Sequence, residues 1–199
     1  MKMLTIFIMA IVIAAGCSSE KKDETRPAPR LFTERPHVVL ETEMGNIVME
    51  LFPDMAPNHV SSFIDLVEKG FYDSLTFHRV IKGKLIQGGD PKGDGTGTAG
   101  YILQAEFSNL QHLPGTVAMA RGHDPNSASC QFYICLTQFP NLDGRYTIFG
   151  QVIDGLDIAR KIGGVPVREN PAMNDEESLP IDPVYIIRAY VADENDAAS

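Results

Sequence analysis

The sequence predicts a mainly β domain, in which an antiparallel barrel packs against two helices. Short strand-like segments recur between glycine- and proline-containing turns, and only two segments, far apart in the chain, are typical of helices. No hydrophobic run suggests parallel βαβ repeats, so an antiparallel arrangement is expected. A chain of 199 residues, 44% of them hydrophobic, is expected to hold one globular domain.

Residues 38–51 are expected to form the first hairpin, because two strand-like runs flank Met44 and Gly45. A helix is predicted next. Pro57 stands near its first position, where the fixed φ of proline suits a helix, and Gly70 is placed to end it. Its apolar residues recur at i, i+3, i+4 and i+7 and form one buried stripe. They are Val60, Phe63, Ile64 and Val67.

Residues 75–81 carry the most unusual pattern in the chain. Side chains alternate along a strand, so Arg79 is expected on the same face as Leu75, Phe77 and Ile81. A guanidinium group would then share one side of the strand with apolar groups. The alternative is an edge strand whose arginine faces solvent.

A second short strand is predicted after a break at Lys82 and Gly83, with Leu85 and Gln87 on one face. Residues 88–90 are expected to close this unit with a turn, since glycine tolerates positive φ. The two strands together would present an arginine, a leucine and a glutamine.

A glycine-rich stretch over residues 93–100 resembles a dinucleotide fingerprint through Gly95, Gly97 and Gly100. That fingerprint requires a strand before it and a helix that opens at it. Neither flank of the stretch satisfies this requirement. We therefore reject a dinucleotide site and expect a flexible surface loop.

The remaining chain is predicted to be mostly strands. Asp154 is placed to cap a short helix that ends at Ile162 and buries Ile158 together with Ile162. Residues 163–180 are expected to form an acidic, proline-containing loop. The predicted strands cover residues 115–120, 131–136, 146–152 and 184–191.

Residues 1–16 resemble a secretory signal, with Lys2 followed by an apolar run that is too short for a finished membrane helix. The run ends in Ala-Ala-Gly before Cys17, which resembles the bacterial lipobox, at which the signal is cut and the cysteine is lipidated. An ordinary signal peptide with an incidental cysteine is the alternative. By analogy, Ser18 favours the outer membrane of a bacterial cell envelope.

The predicted organisation then follows from composition. Residues 17–36 would comprise the lipidated cysteine and a flexible tether, because they are polar, charged and rich in proline. Residues 37–192 would form the folded domain, and residues 193–199 a disordered tail. Lipid chains would hold the protein at the membrane, at roughly 0.8 kcal/mol per buried CH₂ group.

The charge of the chain excludes two kinds of partner. The formal net charge is −9, which argues against nucleic acid, whose binding rests on lysine and arginine, and against electrostatic attachment to anionic lipid. Cys130 and Cys135 are five residues apart in a predicted strand, hence on opposite faces, and are expected to be unpaired.

The sequence carries no motif typical of nucleophilic, metal-dependent or phosphate-binding chemistry. The five histidines show no spacing typical of metal ligands, and the sequence has neither a nucleophile elbow nor a phosphate loop. His78 lies on the face opposite Arg79 and is predicted to be structural. Asp143 and Asp154 lie in predicted turns, which account for them without an acid–base role.

Several motifs agree in order and spacing with one family. Residues 77–81 followed by residues 87–90 resemble the signature of the cyclophilins. Residues 94–97, 119–120, 129–134, 142–144 and 149–150 resemble the glycine loop, the central strands and the closing segment of that family. The resemblance covers residues 37–192 and is most similar to the bacterial, exported members.

This resemblance implies a peptidyl-prolyl cis-trans isomerase on an eight-stranded antiparallel barrel capped by two helices, with no cofactor and no metal. Arg79 would be the catalytic arginine, and Gln87 would orient it. The resemblance also implies a set of substrate-binding residues. They are Leu85, Ala120, Arg121, Gln131, Tyr133, Leu142 and Tyr146.

Some positions depart from the family pattern. Lys84 stands where a pocket phenylalanine is common, which predicts a shallower or wetter pocket, and Asn141 replaces a frequent tryptophan. The expected function is a lipid-anchored isomerase that acts on proline-containing exported proteins. Two alternatives stay open: a module that binds proline-containing segments without catalysis, and a scaffold subunit that uses residues 163–180 as a contact surface.

Overall fold

The computed structural model of the chain describes residues 29–192. The predicted signal, Cys17, most of the predicted tether and the predicted tail at residues 193–199 lie outside the described residues. Two helices are present in the described part, α1 (Pro57–Glu68) and α2 (Leu156–Ile162). The strands are β1 (His37–Thr42), β2 (Gly45–Leu51), β3 (Arg79–Ile81), β4 (Leu85–Gly88), β5 (Thr116–Met119), β6 (Phe132–Cys135), β7 (Ile148–Asp154), β8 (Val167–Asn170), β9 (Glu176–Pro180) and β10 (Ile186–Val191).

Eight strands form one antiparallel sheet in the order β10-β1-β2-β7-β5-β6-β4-β3. The sheet curls until its two ends meet. The chain just before β3 forms a bridge with the chain just before β10 through Thr76 and Tyr185, and Phe77 N–H donates to the Val184 carbonyl oxygen at 3.0 Å. This architecture confirms the predicted mainly β fold with eight strands and two helices.

The strands separate two apolar clusters, because successive side chains point to opposite faces. On β6, Phe132 and Ile134 face the main core, whereas Tyr133 and Cys135 face a smaller cluster on the other side of the sheet. Cys130 belongs to the main core, so the two cysteines lie on opposite faces and are unpaired, as predicted. Burial raises the pKa of each thiol to about 12.

Helix α1 packs its predicted stripe into the main core. Phe63 contacts the rings of Tyr72, Phe132 and Phe149 at centroid distances of 4.9, 5.5 and 5.1 Å. Gly70 follows the end of the helix with φ at +65°, a conformation in which glycine carries no Cβ penalty. The helix and its boundaries are therefore as the sequence predicts.

Three local predictions were wrong. Strand β3 begins only at Arg79, and Phe77 is buried in the main core, so it does not share the face of the arginine. Asp154 lies in β7 and does not cap α2. The N-cap residue is Gly155, at φ +78°. Glycine is required there because a Cβ atom would collide with the carbonyl oxygen of Asn46. Residues 163–180 include the hairpin of β8 and β9, which the acidic composition did not reveal.

Residues 29–36, assigned to the tether from composition, contact the domain through two arginines. The Arg30 side chain donates to both oxygens of Glu68 at 2.8 and 2.6 Å, and its backbone N–H donates to Ser61 Oγ. Arg35 donates to Asp54 and Glu50. Ion pairing therefore fixes this end of the predicted tether against the domain.

Within residues 29–192, no helix combines the length and apolar character needed to cross a membrane. The same residues contain no group of three or more histidine, cysteine or acidic side chains placed to hold a metal ion.

The N-terminus of α1 is satisfied by a side chain from a distant loop. Glu106 accepts hydrogen bonds from the backbone N–H groups of Asn58 and His59, both at 3.0 Å, and from His59 Nδ1 at 2.6 Å. A carboxylate suits this position because the first N–H groups of a helix lack partners and carry partial positive charge. Burial raises the pKa of Glu106, but these hydrogen bonds outweigh that effect and lower it overall.

Replacing Glu106 with glutamine should lower the free energy of unfolding at neutral pH by about 1–3 kcal/mol, because an amide cannot accept all of these hydrogen bonds. Since the folded-state pKa is lowered, the contribution is present above the ordinary value of 4.5 and is lost as pH falls through the folded-state pKa. Urea unfolding at several pH values measures both effects. The exposed Glu43→Gln serves as control, and an equal loss in both variants would contradict the capping role.

Candidate active site

A cavity of about 640 Å³ opens on the outer face of β3, β4 and β6. Its walls include residues 94–98, 120–122, 141–142 and 172–173, together with Ser127, Ser129, Phe139 and Tyr146. All nine side chains predicted for the site line this cavity, although their roles stay predictions. They are Arg79, Leu85, Gln87, Ala120, Arg121, Gln131, Tyr133, Leu142 and Tyr146.

Arg79 is held at one side of the cavity by two partners. Gln87 lies opposite it in the antiparallel pairing of β3 with β4, and Arg79 Nη1 donates to Gln87 Oε1 at 3.1 Å. The second partner is Glu176 on β9, whose two carboxylate oxygens accept from Arg79 Nε and Nη2 at 2.9 and 3.0 Å. Sequence reasoning missed Glu176, because 97 residues separate it from the arginine and no local motif marks it.

A chain of side-chain amides continues from Gln87. Its Nε2 donates to Gln131 Oε1 at 3.0 Å, and Gln131 Nε2 donates to the carbonyl oxygens of Gly95 and Gly97 at 3.0 and 2.9 Å. Carbonyl groups only accept, so they fix which end of Gln131 faces the loop, and each amide then fixes the next. The orientation that lets Gln87 accept from Arg79 is therefore set by the backbone of the glycine loop.

The glycine loop is anchored to the domain, in contrast to the flexible loop expected from its composition. Asp90 accepts from the backbone N–H groups of Lys92 and Gly95. At Gly97 an added Cβ would collide with the Asp90 carboxylate, so glycine is required for this close approach. The glycines thus allow the loop to wrap an aspartate and to form one wall of the cavity.

The floor of the cavity is apolar and aromatic. Leu85, Tyr133, Leu142 and Tyr146 belong to the smaller cluster, and the two tyrosine rings meet edge to face at a centroid distance of 5.9 Å. At the rim, the Arg121 guanidinium lies 4.5 Å above the Tyr146 ring, in a cation–π contact. The cavity therefore offers an apolar hollow beside polar groups.

The prediction that Lys84 makes the hollow shallow or wet was wrong. Lys84 is exposed in the turn between β3 and β4 and does not line the cavity, whereas the neighbouring Ile81 does. Lys84 lies in a sharp turn, in which its backbone N–H donates to the Ile81 carbonyl oxygen at 2.8 Å. Asn141 lines the cavity and is exposed. His78 is buried outside the cavity lining, and burial lowers its pKa.

A row of hydrogen bonds beneath the floor of the cavity, centred on the buried His112, was not predicted from the sequence. His112 Nδ1 lies 2.9 Å from Asp143 Oδ1, and its Nε2 lies 3.0 Å from the Tyr133 hydroxyl. The carboxylate can only accept, so Nδ1 carries the proton and, in the neutral ring, Nε2 accepts from Tyr133. Hydrogen bonds from His112 lower the pKa of Asp143, whereas burial raises that of Tyr133 well above its ordinary value. Asp143 thus holds a histidine in addition to shaping a turn.

Replacing Tyr133 with phenylalanine should lower the free energy of unfolding by about 1–3 kcal/mol, because the buried Nε2 of His112 would lose its partner. Urea unfolding measures the change. Tyr146→Phe is the matched control and should have a smaller effect, since Tyr146 is only half-buried. Equal stability of the Tyr133 variant and the native chain would contradict the hydrogen bond.

Comparisons with known proteins agree with this geometry. The family model described as cyclophilin type peptidyl-prolyl cis-trans isomerase/CLD matches residues 37–191. A peptidyl-prolyl cis-trans isomerase of Synechococcus elongatus is 48% identical over 116 residues, covering 58% of this chain and 79% of that protein. The peptidyl-prolyl cis-trans isomerase-like 1 of Neurospora crassa is 38% identical over 164 residues, covering 80% of this chain and 96% of that protein.

Solved structures give the same result. A cyclophilin-type peptidyl-prolyl cis-trans isomerase of Cryptosporidium parvum superposes with a TM-score of 0.73 at 31% identity, covering 80% of this chain and 99% of that one. The same protein in the presence of the dipeptide Ala-Pro gives a TM-score of 0.72 at 32% identity. Because the family match runs from β1 to β10 and includes the whole curled sheet, the chain belongs to the cyclophilin-type peptidyl-prolyl cis-trans isomerases and is an enzyme with that activity.

Proposed function

We propose that Arg79 catalyses the isomerisation and that the enzyme acts on proline-containing exported proteins from a lipid anchor. The observation that supports the catalytic role of Arg79 is that its guanidinium group is fixed at the edge of an apolar hollow. No nucleophile and no proton transfer is required by this reaction, because no covalent bond of the substrate is broken.

The barrier to the reaction is electronic. Rotation about an X-Pro amide breaks its conjugation and meets a barrier of about 18–20 kcal/mol. At the twisted state the proline nitrogen regains its lone pair, which can accept a hydrogen bond. A donor placed to meet that lone pair stabilises the transition state more than the planar ground states, and this difference is the condition for catalysis.

Arg79 suits this task because its charge is permanent and its donors are held in place. Three of its five N–H bonds are used by Glu176 and Gln87, which leaves one on Nη1 and one on Nη2. Leu85, Tyr133 and Leu142 provide an apolar surface that can hold the pyrrolidine ring. Such a surface also excludes water, which would compete for the remaining donors.

The geometry of the cavity weakens the alternative hypothesis that the domain binds proline-containing segments without catalysis. That alternative depended on a lysine in the proline pocket, and Lys84 lies outside the cavity lining. The scaffold alternative is likewise less supported, because residues 163–180 contribute Glu176, Ala172 and Met173 to the site. Isomerisation of clients is therefore the function we propose for this surface.

Replacing Arg79 with alanine should lower kcat/KM on a tetrapeptide with a central Ala-Pro by roughly 10²-fold or more, the usual effect of losing a transition-state donor. The assay follows cis-to-trans conversion with the full chain in mild detergent. Arg188→Ala, which removes an exposed arginine paired with Glu41 and stacked on Tyr190, is the matched control and should leave the rate unchanged. A similar rate in all three proteins would remove the catalytic claim.

The proposed location rests on residues 1–17, in which a lysine, an apolar run and small residues precede Cys17. Slow X-Pro isomerisation limits the folding of many chains, so an isomerase held in the cell envelope would act where exported proteins fold.

Replacing Cys17 with serine should abolish incorporation of labelled fatty acid and move the protein from the membrane fraction to the soluble fraction of a bacterial host. Cys130→Ser is the control and should retain the label, because Cys130 is buried in the core. Unchanged labelling in the Cys17 variant would exclude the lipid anchor at this residue.

A further inference from the structure

We propose that Glu176 is a positioning residue for the isomerase reaction, and that the hairpin of β8 and β9 is part of the active site. This inference rests on the proposed role of Arg79 and adds the group that fixes its donors. The carboxylate contacts the arginine at two points, 2.9 Å from Nε and 3.0 Å from Nη2. A two-point contact fixes the plane of a guanidinium group as well as its position.

The hydrogen bonds of Arg79 show why a second partner is needed. Gln87 alone would accept one N–H, and the arginine could still rotate about that bond and about its own side-chain torsions. With Glu176 on the Nε side and Gln87 on Nη1, the plane is held from two directions. Only one N–H on Nη1 and one on Nη2 then remain, and their directions are determined.

The packing of the hairpin places Glu176 beside Arg79. Strand β9 packs against β3, the edge strand that carries the arginine. Glu176 is paired with Asn170 across the hairpin, and the Asn170 side chain accepts from Ala172 N–H at 3.2 Å and so caps the short 3₁₀ helix Pro171–Met173. Ala172 and Met173 line the cavity, and Met173 reaches the glycine loop at Gly95.

Two effects of the carboxylate oppose each other. Its negative charge reduces the positive potential of the guanidinium, whereas its two hydrogen bonds fix the direction of the donors. The side chains of Arg79 and Glu176 are 24% and 36% exposed, so solvent screens the charge effect. Hydrogen bonds weaken steeply with misalignment, and loss of direction is therefore the larger effect. The hydrogen bonds from Arg79 also lower the pKa of Glu176 below its ordinary value of 4.5.

The chain provides a matched pair of glutamates for the test. Glu176→Gln changes one carboxylate oxygen to an amide group and removes one charge with almost no change of shape. Glu177→Gln makes the same change at the next position, where the side chain is exposed and has no contact with Arg79. Glu176→Ala removes both acceptors.

We expect kcat to fall about 3–10-fold in Glu176→Gln and further in Glu176→Ala, with KM within about twofold of the native value in both. Glu177→Gln should match the native enzyme in both constants. In the ¹⁵N NMR spectrum, the Nε–H signal of Arg79 should shift and exchange faster with water in Glu176→Gln only. Thermal unfolding should confirm that both glutamine variants are folded.

Four outcomes would overturn the role of Glu176: native kinetics, a faster rate, a rise in KM alone, or equal losses in the Glu176 and Glu177 variants. Arg79→Ala, assayed in parallel, separates this inference from the proposed function. If Arg79→Ala is inactive while Glu176→Gln is unchanged, only the positioning role fails. If Arg79→Ala retains native activity, the catalytic role of the arginine fails first.

Discussion

The site depends on one connected set of hydrogen bonds that fixes a guanidinium group beside an apolar hollow. The set begins at the backbone carbonyls of Gly95 and Gly97, passes through Gln131 and Gln87 to Arg79, and ends at Glu176. Each amide has one donating and one accepting end, so the direction of every bond follows from the carbonyls at its start. The arginine is consequently held by elements from three parts of the chain.

The same sheet supports the core and the cavity because strand side chains alternate. Phe132 and Ile134 on β6 fill the main core around α1, while Tyr133 between them forms the floor of the cavity. Beneath that floor, His112 and Asp143 hold the Tyr133 hydroxyl, which lets a tyrosine be buried without an unpaired polar group. Stability of the fold and shape of the hollow are thus coupled through single strands.

The site has the properties that rotation about an amide bond requires. It offers N–H donors of Arg79 that are fixed by Gln87 and Glu176 beside an apolar surface, and amide rotation requires no group to change protonation. Glu176 adds a feature that separates this chain from a simple arginine and glutamine pair. It ties the edge strand β3 to the hairpin of β8 and β9, so that the segment joining these two strands becomes part of the cavity wall and Glu176 supports Arg79.

Much of the fold can be predicted from patterns among residues that are close together in the sequence. The alternation in β4 and β6, the stripe of α1 and the hairpin around Gly45 are read from neighbouring residues, and they position Arg79, Gln87 and the apolar floor. Short-range rules failed where a distant partner decided the outcome. Glu176 lies 97 residues from the arginine it holds, and Glu106 caps a helix from 48 residues away. Periodicity specifies which face a side chain occupies, but only the closed sheet decides which faces meet, and that pairing carries no signal in the residues next to either partner.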